Sequence, residues 1–145
     1  MDSVVIRPAL SEDYKSIHEI NSTAFGYDYD INYTKQNLEY ILLLPNYRIF
    51  VAEKDNVIVG YAHAADYDNI YSDPLKNIMA IAVLKEFRGN GIGKKLLCAI
   101  ENWSHESGCS GVRLVSGTDR ENAHEFYTAC GYSKRKTQIN FIKWF

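Results

Sequence analysis

The sequence predicts an α/β (α+β) fold in which a mixed sheet of about seven strands carries helices on both faces. Segments with strand and helix patterns alternate through the second half of the chain, an order that is typical of sheets with helices packed on them. Residues 77–83 are almost all apolar, as in a strand that is covered on both faces. The 145 residues, 46% hydrophobic and 23% charged, have the length and composition of one globular domain. We therefore expect residues 1–145 to form a single domain.

Periodicity and chain-breaking residues define the individual elements. The predicted strands are residues 3–7, 48–53, 57–65, 77–83, 112–115, 132–135 and 138–144. The predicted helices are residues 11–25, 33–44, 94–107 and 119–130. Pro45 cannot continue the second helix, while Gly108 and Gly131 are typical residues just after a helix end. The expected order is β-α-α-β-β-β-α-β-α-β-β.

Charge, cysteine count and hydropathy exclude several classes of protein. A net charge of −2 gives no basic surplus for binding nucleic acid or an anionic membrane. The three cysteines form no C-x-x-C pair, and an odd count fits a reducing compartment. The longest apolar run, residues 78–84, is far shorter than the ~18 residues of a membrane span, and no signal-peptide pattern begins the chain. We expect a cytoplasmic protein without a nucleic-acid or membrane partner and without a metal.

A glycine-rich segment, residues 88–93 (RGNGIG), lies between a predicted strand and a predicted helix. The first N–H groups of a helix lack internal partners and carry partial positive charge, and glycines let a phosphate approach them. A Walker A loop does not fit, because it needs glycine at Arg88 and Ser or Thr at Lys95. The G-x-G-x-x-G dinucleotide pattern fails on its spacing. The segment is thus a diphosphate site or a tight turn with an exposed helix start.

Two motifs resemble those of the GNAT superfamily of acyl-CoA-dependent N-acyltransferases. Arg88, Gly91 and Gly93 satisfy the pattern Q/R-x-x-G-x-G/A, which resembles the family's pyrophosphate loop. About 35 residues later, residues 123–132 (AHEFYTACGY) resemble its A-x-x-F/L-Y-x-x-x-G-F/Y segment. The first 70 residues match the family in element order alone. The resemblance implies the GNAT fold, with a mostly antiparallel sheet, and acetyl transfer from acetyl-CoA to a primary amine by direct attack, without a covalent enzyme intermediate.

The resemblance also implies which residues act on the cofactor. Tyr127 is the expected general acid for the departing CoA thiolate, because a phenol of pKa about 10 is protonated at neutral pH; otherwise it is a core tyrosine. The expected cofactor-binding residues are Ile81, Ala82, Val83, Arg88, Gly89, Asn90, Gly91, Ile92, Gly93, Lys94 and Arg120. Many relatives carry Asn at the position of Arg120, so this residue either faces a cofactor phosphate or is solvated.

A general base is not evident in the sequence. Several relatives carry Glu or His on the fourth strand, at positions that align with Asn77 and Met79, and neither of these side chains is a useful proton acceptor. The remaining candidates are Glu53, His63, Asp66 and Asp68. Proton removal through ordered water is an equal alternative.

The segments that form the acceptor pocket in the superfamily are rich in tyrosine and aspartate here. Such residues suit a cationic amine through ion pairing and cation–π contact, although turns favour them too. The candidate acceptor-binding residues are Tyr27, Asp28, Asp30, His63 and Asp66. We expect a small cationic acceptor, such as an aminoglycoside or polyamine, and expect Asp28→Asn with Asp30→Asn to raise its KM. The alternatives are a peptide or protein amine, and a CoA-binding module without catalysis.

The last predicted strand has two interpretations. Residues 140–145 (NFIKWF) would pair with a second subunit, which gives a homodimer, or would form an edge of their own sheet.

Overall fold

The computed structural model describes residues 3–145, so residues 1–2 of the predicted domain lie outside the described range. The chain divides into two compact units, one ending at Leu114 and the other formed by Val115–Phe145. The elements are β1 (Val4–Pro8), α1 (Tyr14–Phe25), α2 (Ile31–Leu42), β2 (Tyr47–Lys54), β3 (Val57–Tyr67), β4 (Leu75–Val83), α3 (Ile92–Glu106), β5 (Val112–Leu114) and α4 (Glu121–Ala129). Their order agrees with the first nine predicted elements.

The first unit contains one sheet with the strand order β1-β2-β3-β4-β5. The pairs β1·β2, β2·β3 and β3·β4 are antiparallel and the pair β4·β5 is parallel, which confirms a mixed, mostly antiparallel sheet. Asp55 and Asn56 close the β2–β3 hairpin with φ values of 51° and 64°. Such a two-residue turn with positive φ matches the twist of the strands it joins.

Gly60 and Tyr61 show which helix lies on which face of the sheet, because successive strand residues point to opposite faces. The Tyr61 hydroxyl donates a hydrogen bond to Oδ1 of Asn21 on α1. A Cβ added to Gly60 would lie 3.4 Å from Cδ1 of Leu96 on α3. Leu38 of α2 shares a buried cluster with Tyr61. Helices therefore cover both faces, as predicted.

The expected count of about seven strands is wrong, since the sheet has five. Residues 132–135 and 138–144, which were expected to be strands, belong to no strand in the part of the chain that the structure describes. A β-branched and aromatic pattern reports strand propensity, but a strand also needs a neighbour for its N–H and C=O groups. The expectation of a single domain stays a prediction.

Arg7 and Asp13 tie β1 to the start of α1. The Arg7 guanidinium donates to both carboxylate oxygens of Asp13, at 2.8 and 3.0 Å, and the Leu10 N–H donates to the same carboxylate at 2.8 Å. Burial of Asp13 opposes its ionisation, but the hydrogen bonds from Arg7 and Leu10 outweigh this and lower its pKa below the usual value. The buried, ionised Asp13 carboxylate thus links β1 and the Leu10 backbone to the start of the first helix.

Replacing Asp13 with Asn is expected to lower the free energy of unfolding by about 2 kcal/mol at neutral pH, because Arg7 keeps its charge and loses the nearer of its two carboxylate partners. A depressed folded-state pKa stabilises the protein above the unfolded value, near pH 4, and this stability is lost as the pH falls through the folded pKa. Urea unfolding should therefore show that the difference in the free energy of unfolding between wild type and variant becomes smaller in acid. The exposed neighbour Glu12→Gln is the control, and equal losses in both variants would contradict the assignment.

Candidate functional site

Residues 88–93 form an open loop that ends at the first turn of α3. Gly89 and Gly91 have φ values of 82° and 77°, and a Cβ added to either would meet no atom within 4 Å. No side chain caps α3, whose first internal bond runs from the Lys95 N–H to the Gly91 carbonyl at 3.1 Å. The preceding N–H groups of Ile92, Gly93 and Lys94 have no partner inside the helix. The loop thus offers several N–H groups without helix partners beside open space, which suits a diphosphate.

The side chains of this loop hold its shape. Arg88 Nε donates to the Val83 carbonyl at 2.9 Å, and Asn90 Nδ2 donates to the Phe87 carbonyl at 3.2 Å. Ile92 is buried in the core and anchors the start of α3. The backbone therefore supplies the donors for an anion, and the exposed Lys94 adds positive charge beside them.

The end of β4 has an unpaired edge on the side of β5. β5 pairs with Lys76, Asn77 and Ile78 only, so within the described sheet residues 79–83 have no strand neighbour on that side. The predicted cofactor residues Ile81, Ala82 and Val83 lie in this stretch. A backbone edge beside an anion-binding loop can hydrogen-bond an extended, amide-bearing ligand as if it were a further strand.

A cavity of about 330 Å³ opens between α1 and α2. It is lined by His18, Asn21, Tyr27, Asp28, Tyr29 and Thr34. Burial raises the pKa of Tyr61 to about 12, so its hydroxyl stays a donor to Asn21. Since Oδ1 of Asn21 is already used, its amide N–H groups remain for a ligand.

Of the predicted acceptor residues, Tyr27 and Asp28 line this cavity. The Tyr27 ring stacks on Phe25 at a centroid distance of 5.2 Å. Asp30 is instead the N-cap of α2, where its carboxylate accepts from the Asn32 N–H at 2.7 Å. Asp66 pairs with the Lys76 ammonium at 2.5 Å, on β3 and β4. The structure therefore brings together two of the five candidates.

Sequence reasoning missed His18, Asn21 and Thr34 of the cavity wall. His18 Nε2 donates to the Tyr29 carbonyl at 2.8 Å and so holds the loop between the two helices. His18 and Asn21 lie three residues apart on α1, a spacing that places them on one helix face. That spacing was the available signal, although polar residues at helical spacing usually face solvent.

Of the candidate bases, the carboxylates of Glu53 and Asp66 are paired with cationic side chains. Glu53 accepts from Arg7 at 3.4 Å, and Asp68 is exposed after the end of β3. Asn77, at the position where relatives carry a base, accepts from Arg113 at 2.6 Å. None of Glu53, Asp66 and Asp68 lines the cavity, whereas Asp28, which was not among the candidate bases, lies in its wall.

His63 lies on β3 beside a bulge, where its strand partner is Ala80 and Ala64 pairs with Ile78. Its Nε2 is enclosed and makes no hydrogen bond, and its ring lies 5.5 Å from that of Tyr47. Burial lowers the pKa of His63 to about 4. The imidazole is therefore neutral at neutral pH, and a solvated amine does not reach Nε2 in this conformation.

Acidification from about pH 6.5 to about pH 4 is expected to cost the protein roughly 3 kcal/mol of stability through His63. The unfolded histidine takes a proton in this window and the folded one does not, so acid favours the unfolded state. His63→Leu should remove this part of the pH dependence of urea unfolding. His105→Gln, an exposed position on α3, should retain it. An unchanged pH profile for the His63 variant would show that the ring is solvated.

In the second unit, Tyr127 lies on α4 between two aromatic neighbours. Its ring centroid is 5.3 Å from that of Phe126 and 6.0 Å from that of Tyr132. Burial raises the pKa of Tyr127, and the positive charge of Arg120, at the N-cap of α4, partly opposes the rise. The phenol is therefore protonated and can act as an acid at neutral pH.

Residues 3–145 contain neither a membrane-spanning helix nor a cluster of metal ligands. None of the helices in this range combines the length and the hydropathy that crossing a bilayer requires. The same range contains no group of three or more His, Cys, Asp or Glu side chains arranged to hold a metal ion.

Comparison with known proteins gives a family and several relatives. The family model described as the acetyltransferase (GNAT) family matches residues 14–132. An uncharacterized N-acetyltransferase of Methanocaldococcus jannaschii is 33% identical over 135 residues, which cover 92% of this chain and 80% of that protein. An aminoglycoside N(6')-acetyltransferase type 1 of Salmonella typhimurium is 32% identical over 111 residues, or 72% of this chain and 75% of that protein.

Solved structures share the fold. An aminoglycoside N-acetyltransferase in complex with CoA superimposes with a TM-score of 0.89 at 21% identity, covering 99% of this chain and 96% of that one. A putative acetyltransferase from Agrobacterium tumefaciens gives a TM-score of 0.86 at 22% identity, covering 96% and 99% of the two chains.

Proposed function

Because the chain belongs to the acetyltransferase (GNAT) family, we propose that this acetyl-CoA-dependent N-acetyltransferase acts on a primary amine of a small cationic molecule, such as an aminoglycoside or a polyamine. The observation that carries the proposal is the cavity between α1 and α2, whose wall contains Asp28 and its sequence neighbours Tyr27 and Tyr29. A carboxylate with aromatic neighbours attracts an ammonium by charge and by cation–π contact.

The size and polarity of the cavity support a small acceptor. Its volume of about 330 Å³ is at the lower end of the range for small-molecule sites. The free amide N–H groups of Asn21 suit a hydroxyl or ether oxygen of the acceptor, and the Thr34 side chain adds a further polar group. An aminoglycoside carries both amines and hydroxyls, and relatives at about a third identity have aminoglycoside acetyltransferase names.

At the donor end, we assign the diphosphate of acetyl-CoA to the N–H groups of Ile92, Gly93 and Lys94. The amide-bearing arm of the cofactor then follows the open edge of β4, along residues 81–83. Arg120, at the N-cap of α4, stays a proposed cofactor-binding residue because of its positive charge.

In the proposed reaction the neutral amine attacks the thioester carbonyl carbon, the C–S bond breaks, and the departing thiolate takes the proton of Tyr127. The attacking nitrogen then gives up its second proton, which passes through water to the Tyr127 phenolate and restores the acid. The amine must first lose a proton, and an alkylammonium of pKa about 10.4 is almost fully charged at neutral pH. Asn77 is not basic, and Nε2 of His63 is enclosed. We therefore propose that water in the open cavity carries this proton to solvent.

Asp28→Asn tests the proposed acceptor site and is expected to raise KM for a cationic amine about tenfold, with KM for acetyl-CoA unchanged. Loss of one partly solvated ion pair of roughly 1.4 kcal/mol corresponds to that factor. Asp30→Asn is a matched control, because it removes the same charge from the same loop while asparagine still caps α2. An equal rise in KM in the two variants would indicate that the amine is attracted by the overall negative charge of the loop rather than by a contact with Asp28.

A turnover screen identifies the amine on which these variants are measured. Thiol release from acetyl-CoA is followed with aminoglycosides, polyamines, amino acids and peptides. We expect the highest kcat/KM among the acceptors with two or more cationic amines. Turnover only with peptides would contradict the proposed acceptor class, and thiol release with no acceptor, despite acetyl-CoA binding by calorimetry, would contradict the proposed catalysis.

A further inference from the structure

Arg113 on β5 is a half-buried cation that makes no ion pair. Its Cζ atom lies 4.2 Å from the centroid of the Tyr67 ring, and one of its N–H groups donates to Oδ1 of Asn77 at 2.6 Å. Nδ2 of Asn77 donates in turn to Sδ of Met79 at 3.2 Å, so the amide that holds the guanidinium is itself fixed. Within residues 3–145, no Asp or Glu side chain forms an ion pair with Arg113. Its positive charge is therefore held in place and is not neutralised by a carboxylate of this range.

The side chains of Arg113 and Asn77 lie on the face of the sheet that carries the acceptor cavity. Alternate residues of β3 share a face, so Ala65 lies on the same face as Tyr61, and the extra residue of the β3–β4 bulge is on β4. Residues paired across neighbouring strands share a face as well; Ala65 pairs with Asn77, and Asn77 pairs with Arg113. Tyr61 contacts Asn21, which lines the cavity between α1 and α2. The guanidinium and the cavity are thus on one side of the sheet.

The open edge of β4 ends close to Arg113. β5 pairs with residues 76–78, and residues 79–83 have no strand neighbour on that side within the described sheet. The placement of the cofactor rests on the proposed function, in which its amide-bearing arm starts at the glycine loop and follows this edge from residue 83 toward residue 79. The arm cannot continue past residue 79, because β5 occupies the next pairing positions. The acetyl end of the cofactor, and the amine that attacks it, therefore lie near the Arg113 side chain.

We propose that the Arg113 guanidinium repels the proton of the bound acceptor ammonium, so that the amine enters the reaction in its neutral, nucleophilic form. A cation beside an amine disfavours the ammonium, because like charges repel. The guanidinium thus favours loss of the proton to water without a carboxylate or imidazole that accepts it. The tetrahedral intermediate carries a positive nitrogen and a negative oxygen, on which the guanidinium acts with opposite signs. The charge of Arg113 therefore acts mainly on the bound ammonium.

The other charged and titratable groups of the first unit near β5 do not cancel this charge. On the same face, the neighbouring titratable side chains are of types that carry no negative charge at neutral pH: Tyr47, His63 and Tyr67. On the opposite face, Asp66 pairs with Lys76, whose ammonium lies 3.9 Å from the centroid of the Trp103 ring. The helix α3, with Glu101 and Glu106, packs on that opposite face. Asp68 follows the end of β3 and is exposed.

Asp28 and Arg113 then act on two different amines of one acceptor. The carboxylate of Asp28, in the cavity wall, attracts an amine in its charged form. The guanidinium of Arg113 disfavours the charged form of the amine that lies beside the thioester. An acceptor with two amines is thus bound through one ammonium and reacts through the other nitrogen.

Arg113→Gln tests the proposal with the amine of highest kcat/KM from the turnover screen. At about pH 7 we expect kcat to fall about tenfold and KM for the amine to fall by a similar factor, because the variant binds the ammonium more tightly and less of the bound amine is neutral. The pH at which kcat is half-maximal should rise by about one unit. Loss of a substrate contact or of local structure would instead leave KM unchanged or raise it, and either result overturns the proposal.

Two further variants separate the local charge from other causes. Arg113→Lys keeps the charge and should keep kcat, KM and the pH profile close to those of the wild type. Arg48→Gln is the matched control for the loss of one positive charge, because Arg48 pairs with Ala64, on the opposite face of the sheet, and its Cζ atom lies 5.2 Å from the centroid of the Trp103 ring. It should leave kcat and KM unchanged. An equal shift of the pH profile in Arg48→Gln and Arg113→Gln would assign the effect to net charge and overturn the proposal.

Proton release on binding distinguishes a failure of this proposal from a failure of the proposed function, because it needs no turnover. The same amine, or spermidine where the screen finds no turnover, is titrated by calorimetry into the protein loaded with CoA. The titration is made near about pH 9, in two buffers of different ionisation enthalpy. The wild type should release protons as the amine binds, and Arg113→Gln should release fewer.

The outcomes of the titration are distinct. No proton release by the wild type, or no binding of the amine, overturns the proposal whether or not the variant folds. Equal release by the wild type and Arg113→Gln also overturns it, even if the protein turns over amines. Greater release by the wild type without turnover supports the role of Arg113 and contradicts only the proposed catalysis.

Discussion

Tyr127→Phe is expected to lower kcat about 100-fold or more while KM for acetyl-CoA changes little, since general acid catalysis contributes at least that factor. The phenol hydroxyl is the only group removed, so the packing of the ring against Phe126 and Tyr132 is kept. An interaction made only in the transition state affects kcat rather than binding. Steady-state kinetics with the best amine from the screen measure both constants.

Tyr132→Phe is the matched control, because it removes a hydroxyl from the same aromatic group and leaves the proposed acid in place. It is expected to retain most of the wild-type kcat. The raised pKa of Tyr127 adds a second readout: an acid loses activity only when it ionises, so kcat should show no alkaline decline below about pH 10. A Tyr127→Phe variant with full kcat would falsify the assignment of the acid.

The order of elements could be predicted because local residues determine where elements end. Pro45 lies just after α2, and Gly108 and Gly131 have positive φ just after α3 and α4, positions that these residue types favour on backbone grounds alone. Asp55 and Asn56 similarly determine the β2–β3 turn. Local residues could not show whether residues 132–135 and 138–144 form strands, because a strand also needs a neighbouring strand that lies elsewhere in the sequence or in another chain.

The donor half of the candidate site depends on local residues, whereas the acceptor half depends on segments that come together only in the fold. Residues 88–93 are contiguous, and their glycines dictate a loop with exposed N–H groups wherever such a sequence starts a helix. The acceptor cavity combines α1, α2 and the loop between them, and the three-residue spacing of His18 and Asn21 does not by itself distinguish them from solvated helix residues. The Asp66–Lys76 pair depends on the register of β3 and β4, which the sequence does not state.

Asp30 shows a third case, in which two local interpretations compete. An aspartate in a tyrosine-rich loop suits an amine, and an aspartate just before a helix suits its first N–H groups. The structure places it in the second role, with its carboxylate 2.7 Å from the Asn32 N–H. The predicted start of α2, residue 33, was two residues late, and this boundary error left Asp30 in the loop rather than at the cap.

Gly91→Ala is expected to raise KM for acetyl-CoA about tenfold or more, which corresponds to about 1.4 kcal/mol. Gly91 is the N-cap of α3, with φ of 77° and ψ of 9°, a conformation that costs an L-residue about 1 to 2 kcal/mol. The added methyl would meet no protein atom within 4 Å, so it projects into the open space beside the free N–H groups of α3. A diphosphate bound to those groups would occupy the same space.

Gly108→Ala separates the effect of backbone strain from the effect of filling the space for the diphosphate. Gly108 follows the other end of the same helix, has φ of 73°, and also has open space in the direction of an added Cβ. Both variants should lose a similar free energy of unfolding through backbone strain, measured by urea denaturation at equal pH. Only Gly91→Ala should weaken acetyl-CoA binding, measured as KM and by calorimetry with CoA. Equal stability losses with unequal KM would assign the effect to the loop's contact with the cofactor. If KM rose equally in both, strain in α3 would explain the change, and the glycine loop would not be the diphosphate site.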